Sequence, residues 1–267
     1  MFHPDTQQLL EQLVARLPQS LLLIGRAGVS LTEAARTLTE GSLDVRSITP
    51  DTSKATPVIS VEAIRELYQQ TKNKSEARQY IIITDADRMT HAAQAAFLKL
   101  LEEPQKAVHF ILTSHSPSHL LSTIRSRTQA HHIAPVTREQ SVAYIQQLDV
   151  SDQQTIAQLL YLAEGLPEEL YRLITDQTYF AQAAEITKDA RSFLQAATYQ
   201  QLVTAHRYSK DRQKAVSLVR SATRLTEKSL RANPQPAHVD TLKKLLKTEE
   251  YLAANTNVKL ALMYFVL

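Results

Sequence analysis

Tyr80-Ile81-Ile82-Ile83-Thr84-Asp85-Ala86-Asp87-Arg88-Met89 is a short β-branched apolar run that ends on acidic residues. Such a run reads as a buried strand, and acids at its carboxyl end stand where ligand chemistry occurs in open α/β folds. Working outward, Leu21 to Ile24, Val108 to Thr113 and Gln129 to Ile133 have the same character. Helical patterns lie between them. Ser60 to Thr71 sets Val61, Ile64 and Leu67 on one face behind a Ser60 cap, and Thr90 to Leu101 does likewise with Ala93, Phe97, Leu100 and Leu101. Pro104 is expected to stop this second helix. Strands that alternate with helices imply a parallel sheet flanked by helices.

After Pro135 the strand signals cease. Thr137 to Leu148, Ser151 to Ala163 and a segment from about Pro167, past the Gly165 break, read as helices of a small domain over 136–176. Longer amphipathic stretches follow Thr178. Asp211 to Arg231 places Ala215, Leu218, Val219, Ala222 and Leu225 on one side, and Asn233-Pro234-Gln235-Pro236 interrupts the chain before a last helical region from about Val239 to Leu267. The expected division is 1–135, 136–176 and 177–267.

Composition narrows the chemistry. A chain of 267 residues with 43% hydrophobic and 21% charged residues is an ordinary globular one, neither disordered nor collagen-like. It has 0 Cys, which removes disulfides, thiolate zinc sites and cysteine nucleophiles, and 4 Gly, which disfavours a long glycine-rich phosphate cradle. The amino end lacks a basic region followed by an apolar stretch, so no signal peptide is expected. No apolar run approaches the ~18 residues that a membrane span requires. Residues 1–187 carry a net −5 and residues 188–267 a net +8 within the overall +3. That asymmetry fits an acidic partner or a solvated helical face.

The first motif follows Leu21 to Ile24 as Gly25-Arg26-Ala27-Gly28-Val29-Ser30-Leu31-Thr32. A working P-loop reads GxxxxGK followed by Ser or Thr: its amides cradle phosphate, its lysine reaches the β and γ oxygens and its hydroxyl holds magnesium. Here Gly25 and Thr32 match, Ser30 replaces the second glycine and Leu31 replaces the lysine. An apolar side chain where the terminal phosphate needs a cation argues against productive ATP binding. By itself the octapeptide reads as a turn and a helix cap.

A resemblance then emerges from three stretches taken in order. Ala93-Gln94-Ala95-Ala96-Phe97-Leu98-Lys99-Leu100-Leu101-Glu102-Glu103-Pro104 resembles the NALLKTLEEP helix of bacterial DNA polymerase III clamp-loader subunits. Leu120-Leu121-Ser122-Thr123-Ile124-Arg125-Ser126-Arg127-Thr128-Gln129 resembles their TIxSRCQ segment. Leu252-Ala253-Ala254-Asn255-Thr256-Asn257-Val258-Lys259-Leu260-Ala261-Leu262 looks like their closing LxANxNxxLALE pattern. The likeness is sharp from about Ile59 to Pro135 and weaker elsewhere. Within the family the delta-prime branch, whose nucleotide motifs are often eroded, fits best. The resemblance implies an AAA+ module over 1–135, a helical lid over 136–176 and an all-helical collar for oligomerisation over 177–267.

Placed on the family's DEAD-type pattern, Thr84 takes the metal-associated aspartate position and Asp85 the catalytic glutamate position. Threonine supplies no anion, and aspartate is one methylene shorter than glutamate. In the GSMRDA-type segment, Gly165-Leu166-Pro167-Glu168 puts Glu168 where an arginine would approach phosphate; a carboxylate there repels it. These departures, with Leu31, imply a chain that does not hydrolyse ATP and needs no cofactor.

Arg127, after Ser126, is the intact element, with Thr128 in place of the cysteine. The resemblance implies an arginine finger offered in trans to a neighbour's ATP, a device worth about 10³ to 10⁵ in rate. The plain alternative is a structural ion pair, and Arg125 is a nearby competitor. The cysteine zinc module that many delta-prime subunits carry before the segment matching Ile59 to Leu67 is missing. His115 with His119 and His131 with His132 are poor metal pairs, since Pro117 interrupts the first and adjacent strand residues face opposite sides. Arg220, Arg224, Lys228 and Arg231 make a basic helical stripe, a candidate DNA contact that is otherwise solvated or paired.

The resulting expectation is a cytoplasmic, non-hydrolysing stator in a hetero-oligomer. Its expected partners are gamma/tau-type ATPase and delta-type subunits, with the sliding clamp and primed DNA met through the complex, and no membrane. The collar helices after Thr178, including the apolar end Leu260 to Leu267, are the expected oligomerisation surface. Two alternatives stay open: an ATPase motor subunit using Asp85 or Asp87, and a partner-independent DNA-binding protein on an inactive AAA+ scaffold.

Overall fold

The computed structural model describes residues 1–53, 57–71, 78–103, 107–254 and 256–267. Pro104 and Asn255, which the sequence reading used, lie outside the described residues. The chain divides into two compact units, Met1–Arg172 and Leu173–Leu267.

The first unit begins with α1 (Pro4–Ala15), β1 (Ser20–Ile24), α2 (Leu31–Thr37) and β2 (Val45–Ile48), followed by α3 (Val61–Thr71), β3 (Gln79–Ile83) and α4 (His91–Glu102). It continues through β4 (Val108–Ser114), α5 (Ser122–Arg125), β5 (Gln129–His132), α6 (Arg138–Gln147), α7 (Gln153–Ala163) and α8 (Pro167–Thr175). The five strands form one sheet in the order β2-β3-β4-β1-β5, with every pairing parallel. All four strands expected from the sequence are present, but β5, expected to be buried, is an edge strand whose residues are exposed or half-buried, because only β1 flanks it. Because side chains alternate across a strand, Leu22, Ile81, Ile83, Phe110 and Leu112 enter one core with α3 and α4, where Phe97 meets Phe110 edge-on at 5.3 Å. Leu21, Leu23, Ile82 and Ile111 enter the opposite core with Leu10 and Leu13 of α1 and Leu31, Ala34 and Ala35 of α2.

Two elements had no clear sequence signal. The edge strand β2 pairs only with β3 and has no fully buried residue, so no apolar run marks it. Helix α1 is capped by His3, whose Nδ1 accepts from the Asp5 amide, rather than by one of the usual capping residues. The expected caps form: Ser60 accepts from Ala63 N–H at 3.5 Å and Thr90 from Ala93 N–H at 3.2 Å; Thr137 in addition closes a capping box with Gln140.

The second unit is all helical: α9 (Gln177–Gln195), α10 (Thr198–Tyr208), α11 (Arg212–Ala232), α12 (Pro236–Ala253) and α13 (Val258–Val266). Pro236 sits in the first turn of α12, where its missing N–H costs nothing. Ala215, Leu218, Val219 and Ala222 of α11 pack with Phe193, Leu245, Leu252, Leu262 and Phe265. Helix α13 is apolar on two sides. Ala261, Leu262 and Phe265 are buried, whereas Leu260, Tyr264 and Leu267 are exposed and, with Met263 and Lys244, line an open groove of about 430 Å³.

Candidate functional site

Parallel pairing of β1 with β4 sets Ile24 opposite Ser114 and Leu23 opposite Thr113. The residues that follow the two strands therefore meet at the carboxyl-terminal end of the sheet, where the Gly25 loop lies beside the end of β4. The loop is closed on itself by a Val29 N–H donation to the Arg26 carbonyl at 3.2 Å. Its hollow is filled by protein: a Cβ added to Gly25 would lie 2.6 Å from Val29 Cγ2 and 3.1 Å from Leu31 Cδ2. Leu31, at the position of the P-loop lysine, is 2% exposed and belongs to the apolar core with Val29, Ile133 and Leu166.

Ser30 keeps a left-handed backbone, φ 63°, although it is not glycine, and this explains why a P-loop prefers glycine there. Asp85 and Glu164 share that conformation, so three of the four described non-glycine residues with positive φ line this one corner. Such strain persists where the surroundings fix the backbone.

The segment after α7 closes over the loop. Glu168 N–H donates to the Gly28 carbonyl at 3.2 Å, and Arg26 pairs with Glu164 at 2.9 Å. The backbone of Glu168 thus reaches the loop. Gly165, φ +75°, allows close passage: an added Cβ would sit 2.4 Å from the Val136 carbonyl oxygen, and Val136 N–H donates to Gly165 O at 2.8 Å. Leu166 packs against Gly28 from the same turn.

The acids after β3 are committed to neighbours. Thr84 turns away from the loop, its hydroxyl donating to the Ile48 carbonyl of β2 at 3.0 Å. Asp85 stands 3.4 Å from His115 Nε2 and 3.5 Å from Arg88 Nε, and its amide donates to Thr113 Oγ1 at 3.0 Å. Asp87 accepts from the His115 amide at 3.1 Å. His115 Nδ1 donates to the Gly25 carbonyl at 2.9 Å. This imidazole, which pairing with His119 did not explain, ties the loop to the acidic turn. Its signal was its place one residue past the strand that neighbours β1.

A second location lies at the α4–α5 corner. Gln94 is buried; its amide NH₂ donates to Met89 O at 3.2 Å and to His119 O at 3.0 Å, and its oxygen accepts from Leu121 N–H at 2.8 Å. That side chain fixes the approach to α5. Beyond α5, Ser126 Oγ donates to Thr123 O at 3.1 Å, and Arg127 Nη1 donates to the same carbonyl at 3.2 Å. Arg127 Nη2 lies 3.0 Å from Glu102 Oε1, with both side chains partly exposed. Thr128 fits the cysteine position because its buried hydroxyl donates to Ile124 O at 3.2 Å.

Residues 32–137 match the family model described as DNA polymerase III, delta subunit. This stretch is therefore similar to DNA polymerase III clamp-loader subunits. The chain is 31% identical over 126 residues to DNA polymerase III subunit delta' of Escherichia coli, covering 46% of this chain and 37% of that one. It is 30% identical over 139 residues to the Haemophilus influenzae subunit delta', covering 52% and 42%. The matches therefore span less than half of these relatives' length. Among solved structures, a DNA polymerase III gamma subunit-related protein of Thermotoga maritima superposes with a TM-score of 0.54 at 20% identity, over 98% of this chain and 97% of that one. A RuvB variant of the same organism superposes with 0.50 at 15% identity, over 90% and 81%. The fold is that of AAA+ proteins, with a mostly helical carboxyl-terminal part.

The basic stripe is less open than its spacing implies. Arg220 Nε pairs with Glu249 of α12 at 2.9 Å, Arg224 is half-buried, and Lys228 and Arg231 lie on the exposed face of α11. Among the described residues, no group of three or more acidic or histidine side chains is arranged to hold a metal ion, and no helix is long and apolar enough to cross a membrane.

Proposed function

We propose that this chain is a delta-prime-like clamp-loader subunit that does not turn over ATP and that supplies Arg127 in trans to a neighbouring ATPase subunit. One observation carries the reading: the hollow of the Gly25 loop is packed with Val29 and Leu31, and Leu31 belongs to the core. A phosphate would have to displace that packing and would find no cation at position 31. The ties from Glu168 and His115 to the loop's carbonyls support the same reading.

In this account 1–135 is the AAA+ module, 136–176 the lid and 177–267 the collar. The exposed apolar side of α13 is the oligomerisation surface toward gamma/tau-type and delta-type subunits, in a cytoplasmic complex acting on the sliding clamp and primed DNA. Arg220 is already spoken for by Glu249, which disfavours partner-independent DNA binding through the stripe.

The test is steady-state ATPase of the reconstituted loader with clamp and primed DNA, alongside the isolated chain. Arg127→Ala is expected to slow turnover at the adjoining site by about 10³-fold, and the isolated chain to show no turnover. Unchanged loader activity would reduce Arg127 to a structural residue. Turnover by the isolated chain would instead make it a motor subunit.

A further inference from the structure

We propose that Glu102 is the positioning residue for the Arg127 guanidinium, holding it in the plane and direction in which it meets a neighbour's phosphate. The inference rests on the trans role proposed for Arg127. Its geometric basis is independent of that role.

Helix α4 braces the segment that carries Arg127 at both ends. Near its start, buried Gln94 clamps His119 and Leu121. About 12 Å along the helix, from the rise per residue, Glu102 in the last turn faces Arg127 Nη2 at 3.0 Å. The core-facing side of that turn is taken by Phe97, Leu100 and Leu101, which leaves Glu102 at the rim. The Thr123 carbonyl takes one N–H of Nη1. A guanidinium has more N–H donors than these two contacts use, so an open edge remains for an anion while the other is held.

The pair has little value as a brace for the fold. Arg127 is 39% and Glu102 52% exposed at the side chain, and ion pairs in such settings contribute weakly to stability. Orientation is a different matter, because a long arginine side chain otherwise samples many rotamers and a misplaced catalytic group loses rate steeply. Two acceptors from two elements restrict the guanidinium to one plane.

The experiment is a double-mutant cycle on ATPase in the assembled loader with clamp and primed DNA, using Glu102→Ala, Glu102→Gln, Arg127→Ala and the Glu102→Ala/Arg127→Ala pair. Glu102→Ala is expected to lower kcat about two- to five-fold without raising KM for ATP. Glu102→Gln, which keeps an acceptor oxygen, stays near wild type. In the Arg127→Ala background, Glu102→Ala has no further effect. A separate, additive loss, or a kcat unchanged or raised by Glu102→Ala while Arg127→Ala lowers it, would overturn the positioning role. If Arg127→Ala itself has no effect, the trans reading fails first. Thermal melts of each chain separate lost folding from lost orientation.

Discussion

His115 and Gly25 are separated by 90 residues in sequence and joined by a 2.9 Å hydrogen bond from the imidazole Nδ1 to the glycine carbonyl. With Nδ1 donating to the carbonyl, Nε2 is turned to Asp85 at 3.4 Å. The loop therefore draws its restraint from β4 and the acidic turn as well as from its own amides.

Removing that tie should loosen the loop locally. His115→Ala leaves the Gly25 carbonyl to water and is expected to cost about 1 kcal/mol. Native-state hydrogen exchange should show amides of 25–31 exchanging about five-fold faster, with those of α11 unchanged. Equal protection of the loop in variant and wild type would show that the imidazole restrains nothing.

This contact also marks the limit of what the chain's pattern discloses. Four strands, the Ser60 and Thr90 caps and the break around Pro236 follow from apolar runs, capping residues and proline, all local properties. The partners of Arg127, Thr84 and Asp85 are set by strand order. Only after β1 is known to lie between β4 and β5 does His115 fall beside Gly25. The edge strand β2 stayed hidden because alternation of exposed and half-buried residues over Val45–Ile48 is too short to stand out, yet its Ile48 carbonyl turns Thr84 away from the loop. The apolar face of the buried strands was legible, and the polar ties at their ends were not.

A lysine at position 31 is not expected to bring nucleotide binding. Leu31→Lys places an ammonium among Val29, Ile133 and Leu166. The expected cost is about 3 kcal/mol in urea unfolding, with no ATP retained in equilibrium dialysis. Tight ATP binding by this variant would show that the packed hollow opens readily, and the silent-site reading would be lost.

In the second unit, burial pushes the Tyr208 hydroxyl well above its usual range, helped by its hydrogen bond to Asp189 at 2.6 Å. Because the folded value lies above the unfolded one of about 10, the neutral hydroxyl's contribution is complete below about pH 10 and is lost progressively as pH rises beyond it. Tyr208→Phe is expected to cost about 1 kcal/mol at neutral pH. The gap between wild type and variant should narrow from about pH 10 upward in urea unfolding. A constant gap across the alkaline range would mean that the hydroxyl titrates alike in both states.

Leu31 also joins the loop to the interior beneath it. A lysine at this position would carry a folding penalty before any phosphate contact could compensate it. Val29, Leu166 and the Glu168 to Gly28 tie would have to change with it. A loop whose shape is set from below by a core side chain cannot be retuned alone, so the chemistry of this corner and the solidity of the unit are adjusted together or not at all.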